Sequence, residues 1–327
     1  MGGSAGSHRG EKGGVAGVST VSSVATGVAT DDYPRVERVV ERVSGIGVDE
    51  FVRIYRKPRR PVILTDALRD WYACGRYTPE YFRREHGDRP IRIRGRDYRL
   101  GEVIELQQAS TAENPGPYPC TFSDCRALLP DISPRFAYSL PNRHTHWLVP
   151  KRVFEWVNHL EIFFGGPGGQ FPYLHYDYLR MHAWIAQLYG DKEFTLYEPG
   201  QEDLLYIDPA KPWLSGVEHS EDPDYERYPL FRKARSYKVV VRAGEALFLP
   251  CGTWHTARCL NMGITIGFDQ LGPDNWHEFV GEVVAAERRA GRHVKAAMLG
   301  AYLRLLGPLL SVAERFGANQ RGDWGLG

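Results

Sequence analysis

The chain has 327 residues, 43% of them hydrophobic and 25% charged, and a formal net charge of +1. This balance suits a globular protein with one large domain or two small ones, and gives no general electrostatic reason to expect nucleic acid or an acidic membrane as partner. No run of 18 apolar residues occurs, and the first residues lack the basic start and compact apolar core of a signal peptide, so no membrane association is expected.

Five cysteines (Cys74, Cys120, Cys125, Cys251, Cys259) fall at irregular spacings with no CxxC pair. That argues against a disulfide framework or a zinc knuckle and predicts a cytoplasmic setting. Residues 1–30 are mostly Gly, Ser, Thr, Ala and Val without periodicity, which predicts a disordered tail. Val36, Val39, Val40 and Val43 recur at helical spacing. "RPVILTDA" reads as a short buried strand. "TPEYFRREHG" reads as a helix capped by Thr78, with Pro79 first and Gly87 at its end. "DRPIRIRGRDYRL" has the alternation of a hairpin with one wet face, so its arginines and those of "RIYRKPRRP" read as solvated surface. "LGEVIELQQA" predicts another helix.

After a loop rich in Pro and Cys, "VFEWVNHLEIFFGG" leads into a region dense in short strands. Pairs of strands meet at Gly190-Asp191, at Ala243-Gly244 and near Met262-Gly263, the pattern of an antiparallel sandwich or barrel. From Trp276 to about Phe316 two helices are expected, broken around Gly291 and again near Gly307-Pro308.

The chemistry sits in "LHYDYLRMHAW", residues 174–184. His175 and Asp177 are two apart, so on extended backbone they share a face, while His182 at an odd separation faces away. "GEALFLPCGTWH" brings His255, 78 residues past Asp177. Two histidines and one carboxylate in this arrangement form the facial triad that binds Fe(II) and leaves positions open for O₂ and substrate. Hydrogen-bonded core histidines are the competing reading of the same residues.

"HYDYLRMHAWIAQLYGDKEFTLYEP", with "GEALFLPCGTWH", "GITIGFDQ" and "DPDYERYP", resembles the JmjC and cupin-like Fe(II)/2-oxoglutarate oxygenases. The likeness is to the hydroxylase branch that contains the factor inhibiting hypoxia-inducible factor and the JmjC lysyl hydroxylases, and it runs from about Pro34 to Leu271. It implies a mainly β fold: a double-stranded β-helix (jelly-roll) core at about 160–271, inside a domain spanning 31–275 with an α/β lead-in, followed by a helical segment, 276–327. It implies His175, Asp177 and His255 as iron ligands and Lys192 as the partner of the distal carboxylate of 2-oxoglutarate. A lysine facing into a barrel is costly unless it meets an anion, which suits that role. Trp184 matches a packing position.

Pro172, Gly267 and Asp269 depart from the family pattern of Thr, Thr or Ser, and Asn. An ionised Asp269 can only accept hydrogen bonds and would need a partner such as Arg180, Arg258 or His182. Tyr138 and Tyr173 are candidates to replace the lost hydroxyls. The implied activity is hydroxylation of a side chain of a protein, peptide or amino acid, with Fe(II), 2-oxoglutarate and O₂ consumed and succinate and CO₂ released; demethylation is the same chemistry on an N-methyl carbon. The acidic stretch "EHSEDPDYE" (218–226) is either a receptor for a basic substrate group or a solvated loop. The C-terminal helices are a candidate homodimer interface. Two alternatives stay open: a metal-binding cupin that does not use 2-oxoglutarate, and a non-catalytic cupin binding module.

Overall fold

The computed structural model describes residues 39–122, 126–133, 136–154 and 160–317. The expected tail, 1–30, lies outside them. The lead-in runs through β1 (Glu41–Val43), α1 (Val48–Phe51), β2 (Val62–Leu64), α2 (Ala73–Arg76), α3 (Pro79–His86), β3 (Pro90–Ile93), β4 (Arg96–Arg99), α4 (Leu100–Gln108) and β5 (Cys120–Phe122). α3 has the expected cap: the Thr78 side chain accepts from the Tyr81 N–H, and Pro79 opens the helix. The valine spacing at 36–43 does not produce a helix over its described part. Residues 41–43 form β1, which pairs in parallel with β2. A three-residue strand is too short to show a period, and its pairing partner lies some twenty residues away.

The core strands are β6 (Leu160–Gly165), β7 (His182–Tyr189), β8 (Lys192–Tyr197), β9 (Ser236–Val241), β10 (Ala246–Leu249), β11 (His255–Cys259) and β12 (Gly263–Gln270). One sheet has the order β1-β2-β10-β7-β12-β6-β5 and a second has β11-β8-β9. Strands adjacent in sequence, β7 and β8, β9 and β10, β11 and β12, do not pair with each other. Each turn carries the chain from one sheet to the other, as in a jelly roll. The two sheets face each other without closing into a barrel.

The period-two alternation sorts side chains between two cores. On β7, Trp184, Ala186 and Leu188 join Phe51, Phe136, Phe164, Phe248 and Phe268 on the outer face, covered by the lead-in. Ala183 and Ile185 point inward, with Leu247 and Leu249, against Phe194, Leu196, Val239, Val241 and Ala257 of the facing sheet.

α5 (Trp276–Arg289) and α6 (His293–Arg315) close the described chain. The break expected at Gly307-Pro308 does not occur, and α6 runs through both residues. Trp276 packs so closely on Gly307 that a Cβ there would lie 2.5 Å from its Nε1. This docking against α5 holds the helix together where proline forfeits one backbone hydrogen bond. α6 is long and apolar enough, by length and composition alone, to cross a membrane. Its Ala296, Leu303, Leu306 and Leu310 pack into a cluster with α5. On its other side Val294, Met298, Tyr302, Leu305, Leu309, Val312 and Phe316 are 42–86% exposed.

Candidate metal centre

The segment carrying His175 and Asp177 occupies the place of a fourth strand beside β11, reduced to isolated bridges. His175 pairs with His255 and with Leu214. The His175 N–H donates to the His255 carbonyl at 3.1 Å and the reverse bond is 2.7 Å. Residues directly opposite in an antiparallel pair project to the same face, so the two imidazoles meet with ring centroids 4.4 Å apart. Asp177, two residues on along extended backbone, returns to that face. Donor atoms of the three residues all lie within 4.8 Å of one another.

Their electrostatics suit a cation. The His255 Nδ1 faces the Thr253 carbonyl at 2.9 Å. A carbonyl only accepts, so Nδ1 carries the proton and Nε2 keeps a free lone pair. Burial, reinforced by His255 beside it, holds the His175 pKa well below the usual imidazole value, so the ring is neutral. The His175 Nδ1 is buried without a hydrogen-bond partner. Burial also pushes the Asp177 carboxyl up, against the opposing pull of His255 and His182. The neutral His175 ring, the His255 ring held by its Nδ1 contact and a desolvated carboxyl, all brought together, fit a divalent first-row metal.

Lys192 lies in the same interior, at the start of β8, and is 3% exposed. Its Nζ is 5.1–5.7 Å from the ring centroids of Tyr118, Phe163, Phe171 and Phe194. Among the described residues no carboxylate pairs with it, and burial pushes its pKa down, with Cys259 opposing. Aromatic faces compensate an ammonium only in part. The Tyr118 hydroxyl is buried against the Cys259 thiol, a weak partner, and meets no oxygen or nitrogen acceptor among the described residues. Lys192 and Tyr118 are thus two buried donors at one end of the interior. Sequence reasoning missed Tyr118, which stands alone in a Pro-rich loop with no pattern around it.

The remaining positions sort as follows. Asp269 is at the site: burial, then the nearby Asp177 and Glu161, push its carboxyl well above the usual range. None of the three suggested partners meets it. Arg180 pairs with Glu282, Arg258 with Glu193 and His182 with Asp274. Glu161 projects inward from β6, because its neighbours Leu160 and Ile162 belong to the outer core. An acid alternating with apolar residues in "LEIFFG" is the signal that would have revealed it. Gly267 has a steric reason: a Cβ there would come within 3.0 Å of the Phe163 ring.

Tyr138 is not at the site. It packs on Phe51, Phe136 and Trp184 across the outer face, and its hydroxyl donates to the Ile46 carbonyl at 2.6 Å. The hydroxyl needed a buried acceptor and found one in the lead-in. Tyr173 does adjoin the site, its ring 5.1 Å from His175. Trp184 is outer core, donating to Gln270 Oε1 at 3.0 Å. The 218–226 loop spends part of its charge internally: Glu218 pairs with Arg227, Glu221 with Lys238, and Asp224 accepts from the backbone of Glu226 and Arg227.

Residues 48–269 match the family model described as a cupin-like domain. Relatives include the arginine-specific demethylase JMJ22 of Arabidopsis thaliana, 23% identical over 69% of this chain and 45% of that protein. Lysine-specific demethylase 8 of Xenopus tropicalis is 21% identical over 71% of this chain and 53% of its own length. The tRNA wybutosine-synthesizing protein 5 of Mus musculus is 35% identical over 31% of this chain and 30% of its own. The chain therefore spans about half or less of the length of these curated relatives. With two-thirds of its length matched and the two-sheet core in place, the chain belongs to the cupin-like domain family, on its JmjC side.

Proposed function

We propose that the protein is an Fe(II)- and 2-oxoglutarate-dependent oxygenase that hydroxylates a side chain of a protein, peptide or amino acid. One observation carries this: a facial His/Asp/His donor set shares its interior with a buried lysine that has no anionic partner among the described residues. His175, Asp177 and His255 would hold the metal. Lys192, with the Tyr118 hydroxyl donating beside it, would hold the distal carboxylate of the oxo acid, and the surrounding rings would exclude water. Bound there, the metal and cosubstrate supply oxidative decarboxylation, to succinate and CO₂, coupled to insertion of one oxygen atom into a C–H bond. Asp269, its pKa raised, would keep its proton and donate as the family's amide does.

Glu161, close to Asp269 and so to the metal position, supports a cationic substrate group. The relatives named as arginine and lysine demethylases support the same preference, and removal of an N-methyl group would need no different machinery. Anaerobic addition of Fe(II) and 2-oxoglutarate should produce a weak visible charge-transfer band, and admission of air should release succinate. Metal binding with neither signal would overturn the proposal and favour a cupin that does not use 2-oxoglutarate, a reading supported by the Phe163 ring filling the space beside Gly267. Failure to bind metal at all would leave a binding module.

The exposed residues of α6, spaced by three and four, have the 3.5-residue period of a coiled-coil seam and support a homodimer through this helix. Sedimentation equilibrium should give a dimer mass that reverts to the monomer in Leu305→Glu/Leu309→Glu.

A further inference from the structure

Between Asp177 and β7 the backbone makes an unusual turn. Leu179 and Arg180 are consecutive non-glycine residues with φ of +60° and +54°. An L-residue in the left-handed region is strained, and such a conformation persists only where its surroundings over-determine it. Here the surroundings come largely from the C-terminal helices and the segment leading into them. Leu179 is buried in the cluster formed by Trp276, Phe279, Val283 and Leu306. The Arg180 carbonyl accepts from Asn275 Nδ2 at 3.0 Å. The Arg180 guanidinium lies 4.0 Å over the Tyr176 ring and 3.4 Å from Glu282 Oε1, and that oxygen also accepts from the Tyr176 hydroxyl at 3.0 Å. On its other side Arg180 closes on Gly252, where a Cβ would come within 2.4 Å of Nη1. Gly252 belongs to the turn that delivers His255.

Arg180 therefore touches both ligand-bearing segments, the one with His175 and Asp177 and the one with His255. Its only ion pair among the described residues is with Glu282, on α5. We propose that Glu282 is a positioning residue for the metal centre. Through Arg180 and Tyr176 it holds the left-handed turn that aims Asp177, which makes α5 part of the support of the site and not merely an appended helix. This rests on reading His175, Asp177 and His255 as a metal site.

The test is an anaerobic titration of the full chain with Co(II) alone, following affinity and the ligand-field spectrum beside the thermal melt. Glu282→Ala should weaken Co(II) by about tenfold, the lower end of what residues supporting metal ligands typically contribute, and should shift the visible bands. Glu282→Gln keeps an acceptor for the Tyr176 hydroxyl but loses the charge, and should fall between. It also keeps the test alive if the alanine variant does not fold. Val284→Ala, which loosens α5 against α6 beside Gly300 and is no part of the Arg180 network, should lower the melting temperature and leave Co(II) affinity and spectrum unchanged. Wild-type Co(II) binding by both Glu282 variants would overturn the proposal, as would an equal loss in Val284→Ala. If the native chain itself bound no Co(II), the metal-site reading beneath it would fail instead, a different result from the same titration.

Discussion

The two faces of the large sheet use polar residues in opposite ways. On the outer face His182, Trp184 and Tyr138 all have hydrogen-bond partners. His182 is wholly buried, with Nε2 2.9 Å from Asp274 and Nδ1 accepting the Cys251 N–H, while Trp184 donates to Gln270 and Tyr138 to Ile46. On the inner side the His175 Nδ1 is buried without a hydrogen-bond partner, the Tyr118 hydroxyl has just the weak Cys259 thiol beside it, and among the described residues Lys192 faces rings and a thiol. Leaving buried polar atoms unpaired costs free energy that packing alone would not retain. The difference separates residues that hold the fold from residues proposed to hold the metal and cosubstrate, although both sets contain a histidine and a tyrosine.

Substitutions can break that distinction. Asp177→Ala has the largest expected effect, a loss of Fe(II) or Co(II) affinity beyond the roughly 10- to 100-fold typical of residues that only support ligands. Its melting temperature should not fall, because a desolvated carboxyl is removed. Trp184→Ala should do the reverse, costing about 3–5 kcal/mol in denaturant unfolding while the folded fraction binds metal normally. Lys192→Ala should weaken 2-oxoglutarate by about 2–3 kcal/mol, the upper range for a charged hydrogen bond, with metal affinity and melting temperature preserved.

The two tyrosines sharpen the contrast. Tyr118→Phe should weaken 2-oxoglutarate by about 1 kcal/mol and leave stability intact, whereas Tyr138→Phe should lose about 1 kcal/mol of stability and leave cosubstrate binding alone. Calorimetry on both variants decides this, and an exchange of the two outcomes would reverse the assignment. The smallest effect is on pH dependence. Burial lowers the His182 pKa below its unfolded value, so the unfolded chain takes up the proton first and stability falls as pH drops through about 6.5, the ordinary value. Asp274, despite burial, is held down to about 2, chiefly by its hydrogen bond and charge interaction with His182, so its contribution is lost on further acidification. Melts between pH 7.5 and 5 should show the first decline, and His182→Gln should flatten it.

Much of this was legible in the chain itself where the signal is local. The two-residue spacing of His175 and Asp177 puts both on one face whatever surrounds them. The Gly190 and Gly244 turns mark the core strands, and Thr78-Pro79 marks the start of α3. What was hidden depends on tertiary placement. Nothing near Tyr118 distinguishes it from Tyr138, since one phenol comes to lie beside Lys192 and the other in the outer core only when the chain folds. The valine spacing over 36–43 suits a helix, and at residues 41–43 parallel pairing with β2 overrides it. Pro308 is a sound local signal for a break, and Trp276 on Gly307 overrules it.

The exposed stripe on α6 also bears on how the protein behaves in solution. A net charge of +1 on 327 residues provides almost no mutual repulsion at neutral pH. The proposed association of apolar stripes would therefore meet little opposition from net charge, and added salt, having little repulsion to screen, would strengthen it where it salts out apolar surface. If this helix is the adhesive face, colloidal behaviour should follow concentration and salting-out strength.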